Sequence, residues 1–410
     1  MTMADNKDKK VLNVPALRFP EFTDEWKEVP FASNLERLEN GVNYNTNDKD
    51  GVPMSRIETI STGRIDYTKV GYCSTPQKIE HYIMRYGDIL FSHINSLKHI
   101  GKTAYYSAEK PLYHGMNLLL FRCKNNIDSK FFFFLINNTH FIRKCQILAK
   151  QAVNQASIST SDLKKIKVYI PNINEQSKIQ KFLSLIEKRI EVQNKIIEKY
   201  ESLIQAMCDT LIERETQQVA LSFSDFGLSY SGLSGKNAED FGDGYPFITY
   251  MNVYQNQIID STDVGLVKIK ETEQQSVVHY GDILFTLSSE TPEEVGMGAV
   301  YLGETYPLYL NSFCFGIHIT DGSKIYPPFL AYYVSSQLFR KAVYPLAQGS
   351  TRFNLQKSDF MKKKFPFPMI EKQRKIYSIL NTYSDKLIVE KQIIGLLCSQ
   401  KRYLLRQLFI

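Results

Sequence analysis

The sequence predicts an α+β protein in which one mixed α/β globule and one long helix each occur twice. Two observations predict it: a heptad pattern that appears twice at a fixed offset, and strand-like runs that recur at nearly the same offset. From Ile179, one row in sevens reads Ile179, Ile186, Gln193, Tyr200, Met207. The row four residues on reads Leu183, Ile190, Ile197, Ile204, Leu211. Apolar rows alternating at four and three along one face mark a long helix that needs a partner helix. At about 1.5 Å per residue, residues 174–213 would reach roughly 60 Å.

The partner lies 197 residues further on. There one row reads Ile376, Tyr383, Glu390, Leu397, Leu404, and the other Leu380, Leu387, Ile394, Lys401, Leu408. The offset also holds through the lead-in: Gln151, Ser161, Asp162, Pro171, Gln176 and Lys178 recur as Gln348, Ser358, Asp359, Pro368, Gln373 and Lys375. Amphipathic periodicity alone does not produce a fixed offset outside the helix, so the halves are read as an internal repeat. The seams are expected to be Ile179, Leu183, Ile186, Ile190, Ile197 and Ile204 against Ile376, Leu380, Leu387, Ile394, Leu397 and Leu404. An antiparallel coiled coil of the two helices would relate the halves by a pseudo-two-fold axis.

In chain order, residues 1–173 form a strap and first globule. Pro15, Pro20 and Pro30 bias the strap to extended shapes, and Leu17, Phe19, Phe22 and Trp26 are expected to pack it down. Strand-like runs follow at Val52–Ile60, Gly87–Ser92, Thr103–Ser107, Asn117–Phe121 and Ile166–Ile170, rich in aromatic and β-branched residues. Phe132, Leu135, Ile136, Ile142 and Ile147 lie near helical spacing within 129–149. The central helix is assigned to 174–216, the second globule to 217–370 and the C-terminal helix to 371–410. In the second globule Tyr86-Gly-Asp-Ile-Leu-Phe-Ser92 returns as Tyr280-Gly-Asp-Ile-Leu-Phe-Thr286, offset by 194. In both copies Gly is expected at positive φ, with Asp capping the turn. The stretches that do not match between copies are loops: 92–103 against 286–298, and 152–160 against 349–357.

Composition excludes several classes. The chain of 410 residues is 43% hydrophobic, ample for a core. Its longest apolar run, Phe131–Ile136, is too short to span a membrane. Its polar N-terminus lacks the apolar centre of a signal peptide. The six cysteines are scattered without a CxxC pair, which predicts a reduced, cytoplasmic protein without structural zinc. The net charge of +7 permits a nucleic-acid partner without demanding one. Neither GxGxxG nor GxxxxGK[ST] is present, and no Ser/His/Asp group declares itself. His93 and His99 have no ligand-spaced neighbour and are expected to be satisfied or surface histidines. The chain is therefore expected to hold no metal and no catalytic residues.

The doubled order of PALRFPEF, YGDILFS/YGDILFT, QAVNQASISTSDL/QGSTRFNLQKSDF and IPNINEQSKI/FPMIEKQRKI, with YSGLSGKNAEDFGDGYPFITYMNV opening the second globule, resembles the specificity (S) subunit of Type I restriction-modification systems. The resemblance covers nearly the whole chain. It implies that each globule is a target recognition domain reading one half of a split double-stranded DNA site. It implies that the helices set the spacing and dock two modification (M) subunits, which bring S-adenosylmethionine and methylate adenine. Restriction (R) subunits would add ATP-driven, Mg-dependent translocation and cleavage. No cofactor is then expected on this chain itself. The alternative is a coiled-coil scaffold or adaptor that binds other proteins.

Base reading calls for paired donors and acceptors, and phosphate contact for Lys, Arg and small hydroxyls. The non-matching loops supply both. The candidates in the first copy are Ser96, Lys98, His99, Lys102, Gln151, Asn154 and Gln155. In the second they are Ser288, Ser289, Gln348, Ser350, Thr351, Arg352 and Asn354. Lys164, Lys165 and Lys167, and Lys362, Lys363 and Lys364, stand at equivalent places before the helices, where phosphate contact and plain solvation are equally open.

Overall fold

The structure, a computed structural model, describes residues 12–44, 50–74, 79–152 and 155–410. The chain divides into two compact units. One runs up to Asn194 and adds Ile393–Ile410; the other is Lys195–Gln392. The division cuts both long helices, Ile173–Glu213 and Ile370–Gln407, so each unit holds a globule with a segment of each helix.

In the first unit a four-stranded antiparallel sheet takes the order Leu35–Asn40, Leu119–Cys123, Ile89–Phe91, Thr103–Tyr105. In the second the order is Gly227–Ser231, Cys314–Ile319, Ile283–Thr286, Gly298–Val300. Register agrees as well: Ile89 faces Phe121 as Ile283 faces Ile317. The tyrosine-glycine-aspartate turn enters each sheet as its residues require. Gly87 and Gly281 sit at φ 91° and 87°, a region glycine enters without a Cβ penalty. Asp88 and Asp282 then accept the backbone N–H three residues back, from Arg85 and His279, at 2.7 and 2.9 Å.

The long helices run antiparallel in each unit. In the first, Ile179, Leu183 and Ile186 share a core with Leu404, Leu405 and Leu408, and Glu187 pairs with Lys401. In the second, Ile204, Cys208 and Ile212 share one with Ile376 and Leu380, with Glu201–Lys391 and Glu215–Lys372 beside them. All twelve expected seam residues are buried or half-buried. The seam drifts, however: Cys208 and Ile212 are buried where Met207 and Leu211 were expected. A straight helix turns every 3.6 residues and outruns a strict 3.5 repeat.

The fixed offset through the lead-in has a cause. Gln176, 1% exposed, accepts the N–H of Asp128 and donates to Pro171 O. Gln373, fully buried, accepts that of Tyr326 and donates to Pro368 O and Lys324 O. Each amide thus ties the start of a long helix to the segment that opens its globule's own helix.

Three expectations need correction. The helix expected over 129–149 is two, Ser129–Ile136 and Thr139–Leu148. Asn138 caps the second by accepting from Phe141 N–H, which ends the first. In that second helix Phe141 and Cys145 face the core while Ile147 is 73% exposed. In the strap, Trp26 and Phe19 do the packing, the Phe19 ring meeting Phe182 edge-on at 5.9 Å, and Trp26 is the buried anchor. Its ring meets Phe131 and Phe409 edge-on, and its Nε1 donates to Glu175, which also takes two bonds from Arg18. Leu17 stays exposed.

Candidate nucleic-acid interface

The non-matching loops of each globule meet on a small ribbon of the same construction. In the first unit Ile94–Asn95 pairs with Gln155–Ser157, which pairs with Lys150–Ala152. In the second, Ser288–Ser289 pairs with Phe353–Leu355, which pairs with Ala347–Gln348. Loops 194 to 197 residues apart in the sequence therefore occupy one architectural position in the two copies, with different side chains.

Gln151, Gln155, Gln348 and Asn354 lie on strands of these ribbons. Ser96, Lys98, Gln151 and Gln155 are exposed, as are Gln348, Ser350, Thr351, Arg352 and Asn354. His99 is half-buried, with Nδ1 2.9 Å from Ser96 Oγ. The Lys102 ammonium donates to Ser61 O, and the Arg352 guanidinium lies over the Phe313 ring at 5.7 Å. Asn154 lies outside the described residues. Ser288 and Ser289 are only 5% and 6% exposed, and Ser288 Oγ has no partner among the described residues. Ser288 O accepts from Tyr250, and Ser289 Oγ bonds to Glu294. Nor is His93 a satisfied histidine: it is buried, and its Nδ1 has no partner among the described residues. Burial holds its pKa down to about 4. Of the lysine runs, Lys164, Lys165, Lys167, Lys362 and Lys364 are exposed and Lys363 is half-buried.

Sequence reasoning passes over what supports these ribbons. Arg340, on the helix Gln337–Val343, donates to the carbonyls of Glu293, Val295 and Gly296 at 2.6–2.7 Å. It thereby fixes the loop that follows Ser288–Ser289. Gly349 turns the hairpin at φ 137°, where a Cβ would stand 2.1 Å from Arg352 O. Under the first sheet, Arg122 donates to both oxygens of Asp88 at 2.8 and 2.7 Å, with side chains 13% and 1% exposed. That bond is the leading reason the Arg122 guanidinium holds its proton above the ordinary arginine pKa.

The Type I restriction modification DNA specificity domain matches this chain twice, over residues 34–202 and 232–397. The chain belongs to that family. It is 30% identical over 403 residues to a putative type I restriction enzyme specificity subunit, MjaX, of Methanocaldococcus jannaschii, covering 91% of this chain and 90% of that one. The fold is that of the Type I restriction-modification S subunit from M. genitalium. That match has TM-score 0.52 at 17% identity and covers 97% and 99% of the two chains. A structure on assembly and conformational transition of the type I R-M system matches at 0.58 and 13%, covering 93% and 96%.

This specificity subunit is accordingly a non-catalytic DNA sequence-recognition protein that works with other restriction-modification subunits, and the adaptor alternative falls away. No helix among its described residues is long and apolar enough to cross a membrane. Among the described residues, His279, Asp282 and His318 converge in the second unit of the specificity subunit as a group of potential metal ligands that no sequence spacing marks. His318 stands 36 residues from Asp282 in sequence and reaches it only through strand pairing.

Proposed function

We propose that each ribbon reads one half of a bipartite double-stranded DNA target, with Gln151, Gln155, Gln348, Arg352 and Asn354 on base edges and Lys98 on phosphate. One observation carries this reading: the two copies keep sheet, turn and helix in register and differ on the same exposed ribbon. A shared scaffold with divergent tips is what two different half-sites demand of one duplicated fold. Paired amide and guanidinium groups there have the donors and acceptors that distinguish adenine and guanine in the major groove.

The long helices are proposed to dock two modification subunits and to set the spacing between half-sites. Leu185, Val192, Leu396 and Tyr403 in the first unit, and Ile388 and Val389 in the second, are 48–71% exposed on helices whose other face is already packed. Apolar side chains repeated on an outer helix face favour a protein partner. Methylation with S-adenosylmethionine would reside on those subunits. ATP and Mg chemistry would reside on restriction subunits of a cytoplasmic assembly.

The test is an Arg352→Ala, Asn354→Ala chain assembled with its modification subunits, with methylated sites mapped across a genome. The proposal expects degenerate sequence in one half-site and an unchanged second half. Unchanged specificity in both halves would remove the second ribbon as a reader.

A further inference from the structure

The geometry points to a divalent transition-metal site of the zinc class formed by His279, Asp282 and His318 in the second unit. One donor atom from each residue lies within 4.8 Å of the other two. His318 Nδ1 and Asp282 Oδ1 are already 2.8 Å apart. The His279 and His318 rings have centroids 4.9 Å apart. A tetrahedral zinc ion with bonds near 2.1 Å needs its donors about 3.4 Å apart. His279 is exposed, so its side chain can swing to close the set, leaving the remaining position to water.

The second copy differs from the first in the way such a site requires. Register places His318 where the first unit has Arg122, and the turn places His279 where it has Arg85. At these two equivalent positions the first unit has arginines and the second has histidines. Asp88 is neutralised by a guanidinium that carries its charge permanently. The Asp282 side chain is 3% exposed. It receives the Tyr230 hydroxyl at 2.8 Å, the His279 backbone N–H at 2.9 Å and the His318 ring. None of these is a fixed positive charge, and a buried carboxylate is costly without one. A divalent ion held by the same carboxylate and two imidazoles supplies it. Two nitrogens and one oxygen favour zinc, cobalt or nickel over magnesium or calcium, which take oxygen ligands. Bound there, the ion would pin the turn before Ile283–Thr286 to Cys314–Ile319 and stiffen the sheet from which the Ser288–Ser289 ribbon leaves.

The full-length chain, stripped with chelator and returned to buffer, would be titrated with Zn(II) by calorimetry and with Co(II) by absorption. One site per chain is expected, with tetrahedral cobalt bands and a melting temperature that keeps rising with the logarithm of free zinc once the site is filled. Each of His279→Asn and His318→Asn should weaken binding by at least about tenfold. The double variant His279→Arg, His318→Arg rebuilds the first unit's arrangement and should fold without binding metal. Cys398→Ser, which removes an exposed thiol, should leave binding unchanged. Absence of binding, binding indifferent to both histidines, or binding lost with Cys398 would overturn the assignment.

Discussion

Arg122→Ala isolates what holds the first sheet together. The variant strips a bidentate guanidinium from Asp88, whose side chain is 1% exposed and has the Arg85 N–H as its other bond. Breaking a buried ion pair by removing one partner costs about 3–5 kcal/mol, because the other charge is left uncompensated. Arg122 is 13% exposed, so water partly relieves Asp88, and about 3 kcal/mol is the better figure. For a unit of this size each kcal/mol moves the midpoint by about 2–4 °C, giving a drop of about 6–12 °C. Calorimetry of the intact chain measures it. Hydrogen exchange should locate the loss in Ile89–Phe91 and Leu119–Cys123, leaving Ile283–Thr286 protected. The double variant Asp88→Asn, Arg122→Leu removes both charges and should recover most of the loss. A single-variant drop below about 2 °C, or a double variant no better than the single, would refute the reasoning.

Further outcomes follow from other sites. Burial raises the Glu187 pKa, but the ammonium groups of Lys130 and Lys401 outweigh it and hold the carboxyl below its ordinary value. Its stabilisation is therefore complete above the unfolded pKa of about 4.3 and is lost as pH falls through the folded value. Glu187→Gln should flatten the fall of melting temperature below about pH 4, and an unchanged acid limb would count against this pairing. Gly349→Ala should cost the hairpin about 1–3 kcal/mol of backbone strain and blur one half-site. Methylation mapping would show it, and an unaltered target would mean the hairpin does not read.

Much of the fold was legible in the sequence because the gene carries it twice. Gln176 and Gln373 look unremarkable singly, yet their shared offset marks the buried amide clamps that the structure reveals. The tyrosine-glycine-aspartate turn was readable because glycine at positive φ and a capping carboxylate are local chemistry. What escaped was non-local. Ser288 and Ser289 sit in a loop by pattern but are covered by strand pairing with Asn354 and Phe353. The strand Leu35–Asn40 alternates too weakly to declare itself and forms against Leu119–Cys123. The seam's shift to Cys208 and Ile212 follows from helix geometry that a strict heptad count ignores.

Exchanging one copy of the scaffold separates modular reading from recognition by the chain as a whole. Residues 217–370 would be replaced by the corresponding segment of a relative with a different target. Methylated adenines would then be mapped in cells carrying the hybrid with its modification subunit. Modular reading predicts one half of the recognised sequence changed, with the other half and its methylated base retained. A hybrid that alters both halves, or that methylates the original sequence intact, would contradict it.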